Sequence, residues 1–176
     1  RAEREANIET ERNGGIPTKN CLITLRKAYE DAGNDFKAAE TLEQQNEIYP
    51  NPGDYNLIGV YYHNSGNKDK AIDFFERALD HNPEDYWPNF NLGNTLFYKD
   101  PKRSRLYLNK AYDLNPSEPC INILLGRLDL CEGKEAKAKE KFQIAYDRYE
   151  QRWKANSLNN SDYGWFASVA EELGKK

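Results

Sequence analysis

Between Tyr55 and Pro83 the apolar positions fall into two helical registers separated by a polar break. Tyr55, Ile58, Gly59 and Tyr62 are spaced i, i+3, i+4, i+7, one face of a helix. The stretch "NSGNKD" interrupts that face, and Gly66 suits the left-handed position just past a helix end. Ala71, Phe75 and Ala78 then define the face of a second helix. Pro83 stops it, because proline lacks the backbone donor and biases the preceding residue away from helix. The pattern predicts helix, turn, helix, stop.

That unit recurs along the 176 residues at a step of 33 or 34. Pro50, Pro83 and Pro116 keep the step, as do Ala38, Ala71, Ser104 and Ala138. So do Leu42, Phe75, Leu108 and Phe142, and Gly59, Gly93 and Gly126. Gly33, Gly66 and Gly133 form a fifth series with one member missing. A period of this length signals stacked supersecondary units, since one helix pair cannot bury its apolar face alone. The small residues belong where two helix backbones come close, and the large ones fill the space beside them.

In this register the chain resembles the tetratricopeptide repeat family. The residues that carry the likeness are Tyr55, Ile58-Gly59, Tyr62, Gly66, Ala71, Phe75, Ala78 and Pro83. Leu92-Gly93, Leu96, Leu108, Ala111 and Pro116 repeat it, as do Leu125-Gly126, Gly133, Ala138, Phe142 and Ala145. The resemblance implies an all-α, right-handed α-solenoid of four helix pairs, 19–51, 52–85, 86–118 and 119–152. A polar helical segment and linker (1–18) precede them, the segment reading either as frayed or as an ordered helix. A capping helix or half repeat (153–176) follows, with Tyr163, Phe166-Ala167, Ala170 and Gly174 at first-helix offsets. Departures from the pattern are local. Arg26 stands at a small-residue position and suggests a looser first unit, "KDPKRS" replaces a glycine turn, Asp129 replaces an aromatic, and no proline closes the fourth unit.

Composition narrows the function. The net charge of −4 argues against a nucleic-acid footprint and gives no support for an anionic membrane as partner. No apolar run approaches the ~18 residues of a membrane span, and no signal peptide is visible. A chain beginning at Arg1 without any Met reads as a fragment or processed product. Cys21, Cys120 and Cys131 are odd in number and far apart, which favours packing residues in a reducing, cytoplasmic setting over disulfides or zinc. His63 and His81 lack metal-like spacing, and no Walker loop, GxGxxG, HExxH or GxSxG motif is present. Charged runs such as "GKEAKAKEKF" read as solvated helix faces. Neither an enzyme nor a cofactor is expected.

By resemblance, the first helix of each unit lines a concave groove. Its inner stripe holds Asn56, Val60 and His63, then Trp87, Phe90, Asn91, Asn94, Phe97 and Tyr98, then Ile123, Leu124, Arg127 and Leu130, with Ile23, Lys27 and Glu30 in the first unit. Asparagine has both donor and acceptor for an extended peptide backbone. Trp87, Phe90, Asn91, Asn94 and Phe97, on one helix, form the expected hot spot. Some family members hold an acidic chaperone C-terminus with a Lys, Asn, Asn, Lys, Arg clamp. Here only Asn91 matches, while Val60, Cys120 and Leu124 stand where Asn, Lys and Arg are wanted. The leading expectation is a scaffold for a protein or peptide with apolar or aromatic side chains. A second is self-association, or docking within a larger protein. The tail "RWKANSLNNSDYGWFASVAEELGK" resembles tails of bacterial repeat proteins linked to Hsp70-type chaperones, which implies a third, a co-chaperone adaptor.

Overall fold

The computed structural model describes residues 1–175, and among them the regular structure is helical, with no strand. Contacts divide the chain at Glu84 into two compact units.

The first unit contains α1 (Ala2–Arg12), α2 (Lys19–Asp31), α3 (Asp35–Ile48), a 3-10 turn (Pro52–Asp54), α4 (Tyr55–Asn64) and α5 (Lys68–His81). α2 pairs with α3 and α4 with α5, and α3 joins the two pairs by packing on α4. The turn inside each pair follows from its residues. Gly33 and Gly66 adopt φ of +66° and +84°, a region costly for residues with a Cβ. Asn34 and Asn67 then cap the second helices, their side chains accepting from Lys37 N at 3.1 Å and Lys70 N at 3.4 Å. α1 is an ordered helix that packs on α2. Its Ala6 is buried, the Cys21 thiol donates to the Ala6 carbonyl, and Lys37 of α3 pairs with Glu3 at 2.7 Å.

The second unit contains α6 (Tyr86–Leu96), α7 (Pro101–Leu114), α8 (Pro119–Cys131), α9 (Glu135–Lys154) and α10 (Asn160–Glu172). α6 pairs with α7 and α8 with α9, while α10 lies against α9 and α8. The turn at "KDPKRS" works without glycine. Asp100 caps α7 by accepting from Arg103 N at 3.0 Å, and Pro101 occupies the first helical position, where its missing N–H costs nothing. Pro50, Pro83 and Pro116 each stand two residues past the end of α3, α5 and α7. No proline follows α9, and it runs 20 residues against 14 in each of the other three second helices.

Each pair is built on a close approach. A Cβ on Gly59 would lie 2.6 Å from the Phe75 ring, one on Gly126 2.6 Å from Phe142, and one on Gly93 2.7 Å from Leu108 Cγ. Ser104 adds a hydrogen bond to this contact, donating from Oγ to the Gly93 carbonyl at 2.7 Å. The first pair has Arg26 at the corresponding place. Its guanidinium reaches Glu30 and the Tyr61 hydroxyl of α4, the latter at 3.1 Å, and so links the first pair to the second.

Asp129 stands where the repeat has an aromatic, and it is buried. Lys141 of α9 binds it at 2.7 Å and Arg105 of α7 at 2.9 Å, so this part of the "GKEAKAKEKF" run turns inward. Burial alone would raise the Asp129 carboxyl. The Lys141 hydrogen bond and charge, with Arg105, outweigh it and hold the carboxyl below the usual range.

Two expectations follow. Gly93→Leu should destabilise by ~1–3 kcal/mol or more in chemical denaturation, because the new side chain meets Leu108 and the α7 backbone. Asp129→Asn should cost on the order of 2 kcal/mol at neutral pH through lost charge-assisted hydrogen bonds. A depressed folded pKa stabilises above the unfolded value, about 3.9 for aspartate, and the contribution disappears as pH falls through the folded value. The difference between Asp129→Asn and the parent chain should therefore close on acidification, as unfolding midpoints against pH would show.

Candidate functional site

α6 is set by its first turn. The Asp85 carboxylate accepts from Trp87 N at 3.0 Å, and Asn89 Nδ2 donates to the Asp85 carbonyl at 2.7 Å. Pro88 follows within the first turn, where backbone donors have no intrahelical acceptor. The helix then presents two stripes of different character.

Trp87, Asn91 and Asn94, continued by Tyr98 in the turn, follow an i, i+4, i+7, i+11 line. Trp87 is 59% exposed and Tyr98 86% exposed, while Asn91 and Asn94 between them are half-buried. Trp87 is held edge-on to Tyr86 at 4.9 Å between centroids, and Tyr98 edge-on to Phe97 at the same distance. Such contacts fix the rings while leaving their outer faces open.

The second stripe corrects the sequence reading. Phe90 and Phe97 are buried in one cluster with Cys120, Leu124 and Leu128 of α8. Ile123 is buried in another with Phe142, Tyr149 and Val169. Phe90, Phe97, Ile123 and Leu124 are four of the residues expected to line the groove. They are instead buried packing residues of these two clusters. The reason is geometric. The same inward register that points at a groove also points at the next first helix, and large apolar side chains fill the nearer space.

Arg127 of α8 is half-buried and engaged. Its Nε pairs with Glu172 at 2.9 Å and its NH2 group donates to Ser168 Oγ at 2.6 Å, both on α10. Leu130 beyond it is 41% exposed. In the first unit, Asn56 and Val60 are half-buried on α4, and Glu30 is tied to Arg26 and Tyr61. Cys21 and Cys120 are buried packing residues as expected, whereas Cys131 is exposed. Burial pushes the Cys120 thiol up strongly, so it is no nucleophile at neutral pH. No group of His, Cys, Asp or Glu among the described residues is placed to hold a metal ion. None of the described helices is long and apolar enough to cross a membrane.

Sequence reasoning missed a further surface. α9 and α10 enclose a mainly apolar cleft of about 360 Å³, lined by Tyr146, Trp153, Tyr163, Phe166, Ala167 and Ala170, with Glu150 and Lys175 at its rim. A signal was present in the absent closing proline, since the extra length of α9 is what places Trp153 there.

Helix pairs with this register and these small-to-large contacts define an all-α helix-repeat protein. More particularly, residues 54–85 match the tetratricopeptide repeat family, and the described residues share its all-α helix-pair fold. No curated protein matches its sequence. Among solved structures it is similar to a crystal structure of MamA, at 20% identity over 86% of this chain and 88% of that one, with a TM-score of 0.72. It is also similar to MamA from Desulfovibrio magneticus RS-1, residue 41 to the end, at 17% identity over 87% and 93% of the two chains, TM-score 0.68. A double mutant of MamA RS-1 gives 17% identity over 86% and 96%, TM-score 0.69. At these identities the likeness is one of fold.

Cys120 and Leu124, where the clamp would place Lys and Arg, are buried, and Arg127 on the same helix is held by Glu172. A peptide ending in the acidic chaperone motif should therefore bind equally poorly as the free acid and as the C-terminal amide. Parallel titration of the two forms checks this. A large loss on amidation would mean that a cation does hold the terminus.

Proposed function

We propose that the chain is a non-enzymatic protein-interaction scaffold whose α6 stripe binds an extended segment of a partner protein. The observation that carries this reading is the exposure of Trp87 and Tyr98 on either side of Asn91 and Asn94. Two open aromatic rings with amide groups between them match what a peptide presents: apolar side chains to the rings, backbone donors and acceptors to the asparagines. A tetratricopeptide fold is consistent with protein binding but does not name a ligand. The partner class is therefore argued from the stripe alone: a segment with apolar or aromatic side chains spaced to reach both rings.

Aromatic anchors usually dominate such interfaces, and truncating one costs ~2 kcal/mol or more. Trp87→Ala and Asn94→Ala should weaken binding of a genuine partner while leaving helical content intact. Lys102→Ala, on the exposed side of α7, should leave it unchanged. Isothermal titration with the three variants decides the matter. If Lys102→Ala weakens binding and the stripe variants do not, the working surface lies elsewhere.

A further inference from the structure

α10 has two faces. Asp162, Trp165, Phe166, Val169 and Leu173 turn toward α8 and α9, with Val169 and Asp162 buried and the other three packed on the core. Tyr163, Ala167 and Ala170, spaced i, i+4, i+7, form the other face. Tyr163 is 55% exposed, Ala167 is exposed, and across the cleft Trp153 is 57% exposed.

The register of that open face is the one used inside every helix pair. Tyr163, Phe166-Ala167 and Ala170 stand at the offsets that Tyr55, Ile58-Gly59 and Tyr62 hold in α4. In α4, α6 and α8 the small residue of this set lies under a large side chain of the following helix: Phe75 on Gly59, Leu108 on Gly93, Phe142 on Gly126. Ala167 lies at the same place, open to solvent. The cleft is also continuous with an interface already formed. Tyr146 and Phe166, 5.3 Å apart between centroids, belong both to the α9–α10 core and to the cleft wall.

We propose that the α9–α10 cleft is a helix-acceptor site, distinct from the α6 stripe, that takes an amphipathic helix from a partner protein. The chemistry of that helix is visible in the pairs that are filled. It carries a large apolar residue with a small residue four positions before it and alanine three positions after it, as Phe75 has Ala71 and Ala78 and Phe142 has Ala138 and Ala145. The large residue seats on Ala167 between Tyr163 and Trp153, and the flanking alanines let the backbones approach. This is recognition of a helix in a groove through i, i+4, i+7 anchors. A second copy of this chain is a poor occupant. Its own helices with this pattern are buried within their pairs, and α1 exposes charged residues and Asn7 with Ile8 as its one large apolar side chain.

The test uses a lactam-bridged, fluorescent peptide of residues 67–82, whose Phe75 face supplies the pattern, titrated into the full chain by anisotropy. The bridge removes most of the cost of ordering a short helix. Saturable 1:1 binding is expected, weakened by about tenfold or more, the scale of a lost hot spot, by Ala167→Arg in the chain or Phe75→Asp in the peptide. Ala167 is exposed, so circular dichroism and the unfolding midpoint of Ala167→Arg should match the parent. Trp87→Ala should bind the peptide normally, which separates this site from the α6 stripe. Absence of saturable binding up to millimolar peptide overturns the proposal, as does binding that ignores Ala167→Arg. Sedimentation of the chain alone supplies the remaining outcome: a dimer abolished by Ala167→Arg would assign the cleft to a second copy and overturn the partner-helix assignment.

Discussion

The structure depends on one recurring contact, a large side chain of one helix seated on the bare backbone of its partner. Phe75 over Gly59, Leu108 over Gly93 and Phe142 over Gly126 bring the helices of three pairs together at distances no Cβ would allow. Interiors are packed to crystal-like density, so the position of that one side chain fixes the approach and register of the whole pair. Once the pairs are fixed, the remaining apolar face of each can be buried only against a neighbour. α3 on α4 and α7 on α8 are that second layer of packing.

This hierarchy explains what the first helices leave for a ligand. Residues directed inward from α6 compete for two destinations, the neighbouring first helix and open space. Phe90 and Phe97 are buried in one cluster with Cys120, Leu124 and Leu128. Only the line one step round the helix remains, and it is narrower and more polar than an apolar groove: Trp87, Asn91, Asn94 and Tyr98. Arg127, the one cation of α8 on that side, is held by Glu172 and Ser168 of α10. The capping helix therefore does more than cover apolar surface. It also ties up the positive charge of Arg127.

The fold was largely legible in the sequence because it is written redundantly. Glycine, alanine, large apolar and proline positions repeat in phase, so a substitution at one of them, such as Arg26 or Asp129, does not erase the signal. What such a substitution does locally was not legible, because it depends on groups far away in the chain. Arg26 finds Tyr61, 35 residues on, and Asp129 is compensated by Arg105 and Lys141 from two different helices. The candidate site was legible only in part for a related reason. Periodicity tells which side of a helix a residue occupies. It does not tell whether a neighbour reaches that side first, so Phe90, Phe97, Ile123 and Leu124 looked equivalent to Trp87 and Tyr98 until burial separated them.

The fourth pair shows how a small departure from the repeat creates a new surface. At the positions where proline ends the other second helices, α9 has no residue that removes a donor or disfavours helix, and it continues to Lys154. α10 must then begin later, where Asn159 and Asp162 form a capping box that starts it cleanly. The added turns of α9 extend past the core, so Tyr149 is buried in it while Trp153, one turn on, is not. α10 arrives in first-helix register with its small residue, Ala167, facing out beside that ring. Where the other second helices stop, α9 continues, and the cap is accompanied by a cleft. The second unit therefore carries an apolar cleft between α9 and α10 besides the polar-aromatic line of α6.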